Sequence, residues 1–257
     1  DRVLALMGCM VGPNANKLKD KFPYVDVFMR PQQYDPLINL LKERLDMDSD
    51  GCIGPLIARP SVSTYIPIIH GCNKFCSFCI IPYRRGREVS RTIQDIVHEA
   101  ELLVQKGVKE VTLLGQNVDS YGQDLAEHQD LSHLLTAINN VEGIKRIRFL
   151  TSHPNDMSSS IIDAVADLDK VCEHINLPFQ AGDDEILNKM RRGYTNQEYR
   201  ILVEKIRKKI PSVSLSTDVI VGFSGETYGQ FQQTYDLLND IRFDKVHSAA
   251  YSTRPGT

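Results

Sequence analysis

The stretch "HGCNKFCSFCIIPYRRGREVSR", residues 70–91, sets three cysteines (Cys72, Cys76 and Cys79) within eight residues and follows them with Arg84, Arg85, Arg87 and Arg91. The run before it, YIPIIH (65–70), reads as a short buried strand. The segment after it, 92–106, keeps Ile93, Ile96, Val97, Ala100, Leu103 and Val104 on one helical face, and Gly107 is suited to end that helix. A thiol-rich loop between a strand and an amphipathic helix is the turn of a βα unit. The fold then depends on whether the unit repeats.

It does. Strand-like runs recur at EVTLLG (110–115), KRIRFLT (145–151), EHINLP (173–178), VSLSTDVIVG (213–222) and KVHSAAY (245–251). Helical patterns such as "LSHLLTAI", "SSIIDAVADL" and "EYRILVEKIRKKI" lie between them. Repeated βα units imply a parallel sheet with right-handed crossovers. A closed eight-fold barrel usually takes about 250 residues, so six units over 65–257 predict an α/β fold: an open (β/α)6 partial TIM barrel. Residues 1–48 hold two further strands, VLALMG and YVDVFM, and a helix from Pro36, part of a small separate α/β domain. Residues 49–64, rich in Gly, Pro and Ser, read as a linker. Asp1 opens the chain almost directly on a strand and "YSTRPGT" closes it just past one, so the expectation is a piece of something longer.

Composition narrows the function. With a net charge of -3, a nucleic-acid surface must be a local patch, because there is no global basic field. No apolar run approaches a membrane span and no signal peptide is recognisable, so the expectation is a cytoplasmic protein, bacterial or of an organelle matrix, without a membrane. In that setting, clustered thiols read as metal chemistry before disulfides.

The loops that follow the strands carry the unusual residues: the cysteine loop, "GQNVDSYG", "TSHPND", "PFQAGDDE", "GFSGET" and "STRPGT". In barrels of this kind, that face is where chemistry sits. The spacing C-x3-C-x2-C leaves two readings. One is a zinc loop completed by His70. The other, favoured by the placement after the first strand, is a [4Fe-4S] cubane on three cysteines with one iron left open for S-adenosylmethionine.

Seven stretches carry a family resemblance. "GCNKFCSFCIIPYRRGREVSR", "EVTLLGQNVDSYG", "TSHPNDMS", "KVCEHINLPFQAG", "MRRGYTNQEY", "LSTDVIVGFSGET" and "YSTRPGT" together are similar to the radical S-adenosylmethionine superfamily and, within it, to the MiaB-type tRNA methylthiotransferases. Ala181 and Asp183 stand where that family usually has Ser, and Ser224 where Pro is common.

The resemblance implies a radical SAM barrel preceded by part of the N-terminal methylthiotransferase domain, without the C-terminal RNA-binding TRAM domain. It implies methylthiolation of carbon 2 of N6-isopentenyladenosine next to the anticodon of tRNA. Threonylcarbamoyladenosine or a ribosomal-protein aspartate are the substrates of related branches; "LLGQNV" points away from them. A different class, a zinc-stabilised RNA-binding module without catalysis, stays open. Implied cofactors are S-adenosylmethionine and two [4Fe-4S] clusters in the full-length enzyme, one of them expected in this chain. Implied partners are the tRNA anticodon stem-loop and an electron donor such as flavodoxin or ferredoxin, with the protein a monomer. Cys9 resembles one ligand of the auxiliary cluster, its two companions lying upstream. Cys52 matches no motif, and Cys172 reads as an inert core thiol.

Gln116, Asn117, Ser152, Gln180 and Asp218 offer amide, hydroxyl and carboxylate groups to the cofactor. Gly222 permits close backbone approach to it. Arg84, Arg85, Arg87 and Arg91 border the cluster mouth, opposed only by Glu88, and are expected to meet RNA phosphates. A second basic tract, from Lys189 through Arg191 and Arg192 to Lys209, reads as a solvated helix face.

Overall fold

The computed structural model describes residues 2–45 and 61–257, apart from positions 9, 13, 32, 128, 255 and 256. Near the start, β1 (Ala5–Met7) pairs in parallel with β2 (Val27–Met29), with Ala5 opposite Val27. They are accompanied by α1 (Asn16–Lys21) and α2 (Asp35–Leu45). The expected linker lies largely outside the described residues.

The barrel begins at β3 (Ser63–Pro67), two residues earlier than the apolar pattern suggested. It continues through β4 (Ile69–His70), α3 (Ile81–Arg85), β5 (Val89–Ser90), α4 (Ile93–Gln105), β6 (Glu110–Leu114), α5 (Leu131–Asn139) and β7 (Arg146–Leu150). Then come α6 (Ser159–Asp167), β8 (His174–Asn176), α7 (Asp184–Lys189), α8 (Asn196–Lys209), β9 (Ser214–Val221), α9 (Tyr228–Ile241) and β10 (Lys245–Ala250). β3, β6 and β7 form one parallel sheet, and β8, β9 and β10 another. An Ile147–Val171 bridge and the Ser152 amide donating to Asn176 O (3.2 Å) join β7 to the β8 segment. The six parallel strands β3, β6, β7, β8, β9 and β10 thus lie side by side in chain order, as expected of an open barrel.

Two departures have local causes. YIPIIH does not run as one strand. It breaks at Ile68, whose amide still reaches Leu114 O, and β4 turns away to pair antiparallel with β5, Ile69 opposite Ser90. That small ribbon is the neck of the cysteine loop. The second departure is α7, a six-residue helix started by Asp183, whose side chain accepts the Ile186 amide. Asp serves there as well as the family's usual Ser, since both cap helices.

Each of the barrel's longer helices starts on such a residue. Thr92, Asp130, Ser158, Thr195 and Thr227 accept from the amide three residues on, each cap contributing about 1 kcal/mol. Ile66, Val111, Leu113, Ile147, Ile175 and Leu215 from the strands belong to one continuous core with Ile96, Leu134, Ile138 and Ile206 from the helices. At the far edge β10 is exposed along its whole length. No helix among the described residues is long and apolar enough to cross a membrane.

Candidate active site

The cysteine loop is fastened on three sides. At its neck, Gly71 (φ +77°) lies so close to the Arg87 carbonyl that a Cβ would stand 2.0 Å from the oxygen, a demand only glycine meets. The Cys72 amide donates to Gly86 O (3.2 Å). Buried Glu88 takes the Asn73 amide and side chain at 3.0 Å each, so it holds the loop rather than opposing the arginines. At its far end Ser77 donates to Met190 O and Lys189 O, at 3.1 and 2.7 Å, tying the loop to the end of α7. In the middle, Lys74 pairs with Asp156 of the loop after β7 at 2.7 Å.

Burial pushes the Cys72 thiol up to about 11 and raises Cys79 as well. The thiols also feel one another, Cys76 and Cys79 raising Cys72 further. Among the described residues, no three His, Cys, Asp or Glu side chains converge on a point that could hold a single metal ion. A mononuclear zinc site needs its ligands around one centre. His70 faces elsewhere, into a cavity of about 510 Å³ with Arg85, Arg91 and Gln116. A cubane makes a different demand: each cysteine binds a separate iron, so three neighbouring thiols that do not focus on one point suit it.

Beside Cys79 opens a second cavity, of about 380 Å³, lined by Phe78, Thr151, Asn176, Gln180, Asp218 and Arg254 among others. Thr151 (φ +75°), just past β7, and Gln180 (φ +72°), in the loop after β8, both take the left-handed conformation, which costs about 1 kcal/mol each. Asp218 is held there by the Asn176 amide at 3.1 Å.

The expected cofactor residues therefore separate. Gln180 and Asp218 line the cavity beside the cluster loop, and Gln116 lines the His70 cavity. Asn117 and Ser152 do not face either one. Asn117 is buried and donates to Asp156 at 2.5 Å, while Ser152 donates to Asp119 at 2.9 Å. Both serve a polar network under the rim. There Asp119 also takes the His153 amide, and burial still lifts its carboxyl to about 7. His153 is held neutral by burial, its pKa down to about 2. Gly222 has φ +75°, a conformation that favours glycine, and nothing of the protein lies within 4 Å of where a Cβ would stand. Its amide donates to Glu226, which closes the turn after β9.

The arginines also separate. Arg91 has local partners: it meets Glu99 at 2.6 Å and Pro67 O at 2.8 Å, with about a third of its side chain exposed. Arg87, exposed, lies over the Phe75 ring, 4.6 Å from its centroid. Arg84 packs against Gly12 of the N-terminal segment, and its carbonyl accepts from Arg30 (3.0 Å). Cys172 is half-buried rather than a core thiol, because it precedes β8 at the strand's open end. Cys9 and Cys52 lie outside the described residues.

Sequence reasoning missed Arg192. It belongs to the tract read as a solvated face, yet it is buried, 5% exposed, with Nη1 3.4 Å from Cys76 Sγ. Its other donors reach Pro178 O (2.9 Å) and the Tyr194 hydroxyl (3.0 Å). The available signal was position: "MRRGYT" falls between α7 and α8, where helical periodicity no longer assigns a face.

Comparison with known proteins agrees with this geometry. The model of the family described as "Radical SAM superfamily" matches residues 66–238. The chain is 51% identical over 99% of its length to the tRNA-2-methylthio-N(6)-dimethylallyladenosine synthase of Dehalococcoides mccartyi strain BAV1, of which it covers 58%. It is 51% identical to the synthase of the same name from Roseiflexus sp. strain RS-1, covering 54% of that protein. The chain thus spans little more than half the length of these relatives. Among solved structures it resembles the cobalamin-dependent S-adenosylmethionine radical enzyme OxsB with aqua-cobalamin and S-adenosylmethionine bound (TM-score 0.65, 10% identity, 88% of this chain and 37% of that one). It also resembles the radical S-adenosylmethionine methyltransferase TsrM from Kitasatospora setae (TM-score 0.60, 19% identity, 72% and 36%). With a family model running through more than half of its length, over the strand, cysteine loop and helices described above, this chain belongs to the radical SAM superfamily.

Proposed function

We propose that the chain is the radical-generating core of a tRNA methylthiotransferase that converts N6-dimethylallyl (isopentenyl) adenosine next to the anticodon to its 2-methylthio form. The observation that carries the reading is the three-thiol loop opening on the cavity of Gln180 and Asp218, in a chain half identical to synthases of that name. When bound, a [4Fe-4S] cluster and S-adenosylmethionine supply a 5′-deoxyadenosyl radical, strong enough to take hydrogen from an aromatic carbon with no acidic proton.

The chain's own residues then have defined work. Cys72, Cys76 and Cys79 hold the cluster, and Asp218 and Gln180 are placed to hydrogen-bond the cofactor's polar groups from the cavity wall. Asn117, Ser152, Asp119 and Asp156 keep the rim and Lys74 in position from below. Gln116, in the neighbouring cavity, is suited to the nucleobase side. Exposed Arg87, with Arg84 and Arg85, supplies positive charge for the anticodon stem-loop, whose unpaired bases can turn outward. Cys9 is proposed as one ligand of an auxiliary cluster. A flavodoxin or ferredoxin as electron donor, a monomeric state and a cytoplasmic location complete the reading.

The test is mass spectrometry of tRNA nucleosides from cells that lack the whole gene. Loss of the 2-methylthio nucleoside with accumulation of its N6-dimethylallyl precursor is expected; an unchanged nucleoside profile overturns the proposal.

A further inference from the structure

We propose that Arg192 is a positioning residue for the core cluster: its buried guanidinium, bonded to the Cys76 sulfur, raises the cluster's reduction potential. The inference rests on Cys72, Cys76 and Cys79 being the cluster ligands. Arg192 sits on the loop between α7 and α8, just after Arg191 turns the chain with φ +57°. It is shut away from water, and its donors are all directed: to Cys76 Sγ at 3.4 Å, to Pro178 O at 2.9 Å and to the Tyr194 hydroxyl at 3.0 Å. That hydroxyl in turn donates to Phe179 O (2.9 Å), so the fork is fixed at both ends.

Among the described residues, no carboxylate lies within ion-pair distance of Arg192. A buried cation without a counter-charge is costly. The groups that can supply the negative charge are the thiolates. Three thiolates around a [4Fe-4S] core carry net negative charge, and one-electron reduction adds to it. A fixed cation in a water-poor site therefore favours the reduced form, and a hydrogen bond to a ligand sulfur acts in the same direction. Arg suits this place better than Lys because its planar fork can hold sulfur, carbonyl and phenol at once.

The experiment uses the whole chain reconstituted with iron and sulfide and kept free of S-adenosylmethionine. It measures the midpoint potential by EPR during titration with a low-potential reductant, with iron counted in each sample. Arg192→Gln, which keeps polar atoms but loses the charge, is expected to lower the equilibrium constant for reduction at least tenfold, a shift of about 59 mV for one electron. Arg192→Lys should fall between Gln and wild type. A Gln variant that holds four irons and keeps the wild-type potential overturns the proposal. Where the Gln variant holds no cluster, Arg192→Lys decides: a lowered potential supports the role, and an unchanged potential and EPR line shape overturn it. Wild-type protein that takes up no cluster defeats the ligand assignment itself, a failure distinguishable by its iron count.

Discussion

Two arginine-bearing stretches lie against the same cysteine loop and use their charge in opposite ways. Between residues 84 and 91 the guanidinium groups stay at or near the surface, over Phe75, against Gly12, or beside Glu99. At residue 192 a guanidinium is carried inside, to a sulfur, a carbonyl and a phenol. The denser run of charge is the shallower one. Charge density along a sequence thus says little about where a cation does its work; the partners that surround it say more. In water an ion pair is screened and cheap to lose, whereas in the interior each broken bond leaves a desolvated partner.

The largest effect should come from breaking the deep side. Arg192→Ala removes charged hydrogen bonds to Pro178 O and Tyr194 and leaves a cavity, so a loss of roughly 3 kcal/mol is expected in urea unfolding of the cluster-free protein. A loss under about 0.5 kcal/mol would mean that Arg192 is effectively solvated, and the contrast with residues 84–91 would collapse.

How much of this was legible follows from the same contrast. Five of the six barrel strands and their order could be read from repeated apolar runs, because burial between helices imposes that pattern on any sequence; β10 is exposed along its length and pairs at the edge with β9. The cysteine loop was legible as the turn of a βα unit from the patterns on either side of it. The break at Ile68 was not, because it depends on β4 finding β5 some twenty residues later. Nor were Asn117 and Ser152 legible as members of the network. An amide or hydroxyl at a strand end looks the same whether it turns to the cavity or to a buried carboxylate. Arg192 lay outside any periodic element, and its direction is set by the α7 terminus, a tertiary fact.

The network below the loop extends the comparison to the opposite sign. Asp119 is a buried carboxyl that accepts from Ser152 and His153 and, among the described residues, has no cation within hydrogen-bonding distance. Its folded pKa of about 7 lies above the ordinary carboxyl value of 3.8. Its contribution to stability is therefore full below about pH 4 and is lost as pH rises towards 7. Asp119→Asn cannot titrate, so the stability difference between wild type and variant should drift in the variant's favour from pH 5 to pH 8. Parallel thermal melts at the two pH values check this; a constant difference would place the Asp119 pKa near its ordinary value.

The shallow side should register in RNA binding rather than folding. Neutralising Arg84, Arg85 and Arg87 in the intact enzyme is expected to weaken tRNA about tenfold and to flatten the salt dependence by up to roughly one unit of slope for every phosphate no longer neutralised. An unchanged slope would assign these groups to the loop alone, through Phe75 and Gly12.

Arg91 gives the smallest effect and the finest division, because one residue holds both kinds of interaction. Its side chain meets Glu99 with about a third of each group exposed, a pairing worth between 0 and about 1 kcal/mol. Its carbonyl, by comparison, accepts the hydroxyl of fully buried Tyr121 at 2.7 Å. Tyr121→Phe leaves that carbonyl without its partner and should cost about 1–2 kcal/mol. Arg91→Ala keeps the carbonyl and its bond, giving up the Glu99 pair, the hydrogen bond to Pro67 O and a long one to Asp95 O, and should stay within about 1 kcal/mol of wild type. Urea unfolding of the two variants side by side gives the order. If Arg91→Ala proves the costlier, the guanidinium of Arg91 is a structural tie comparable to Arg192, and depth of burial is the wrong axis on which to separate the two stretches.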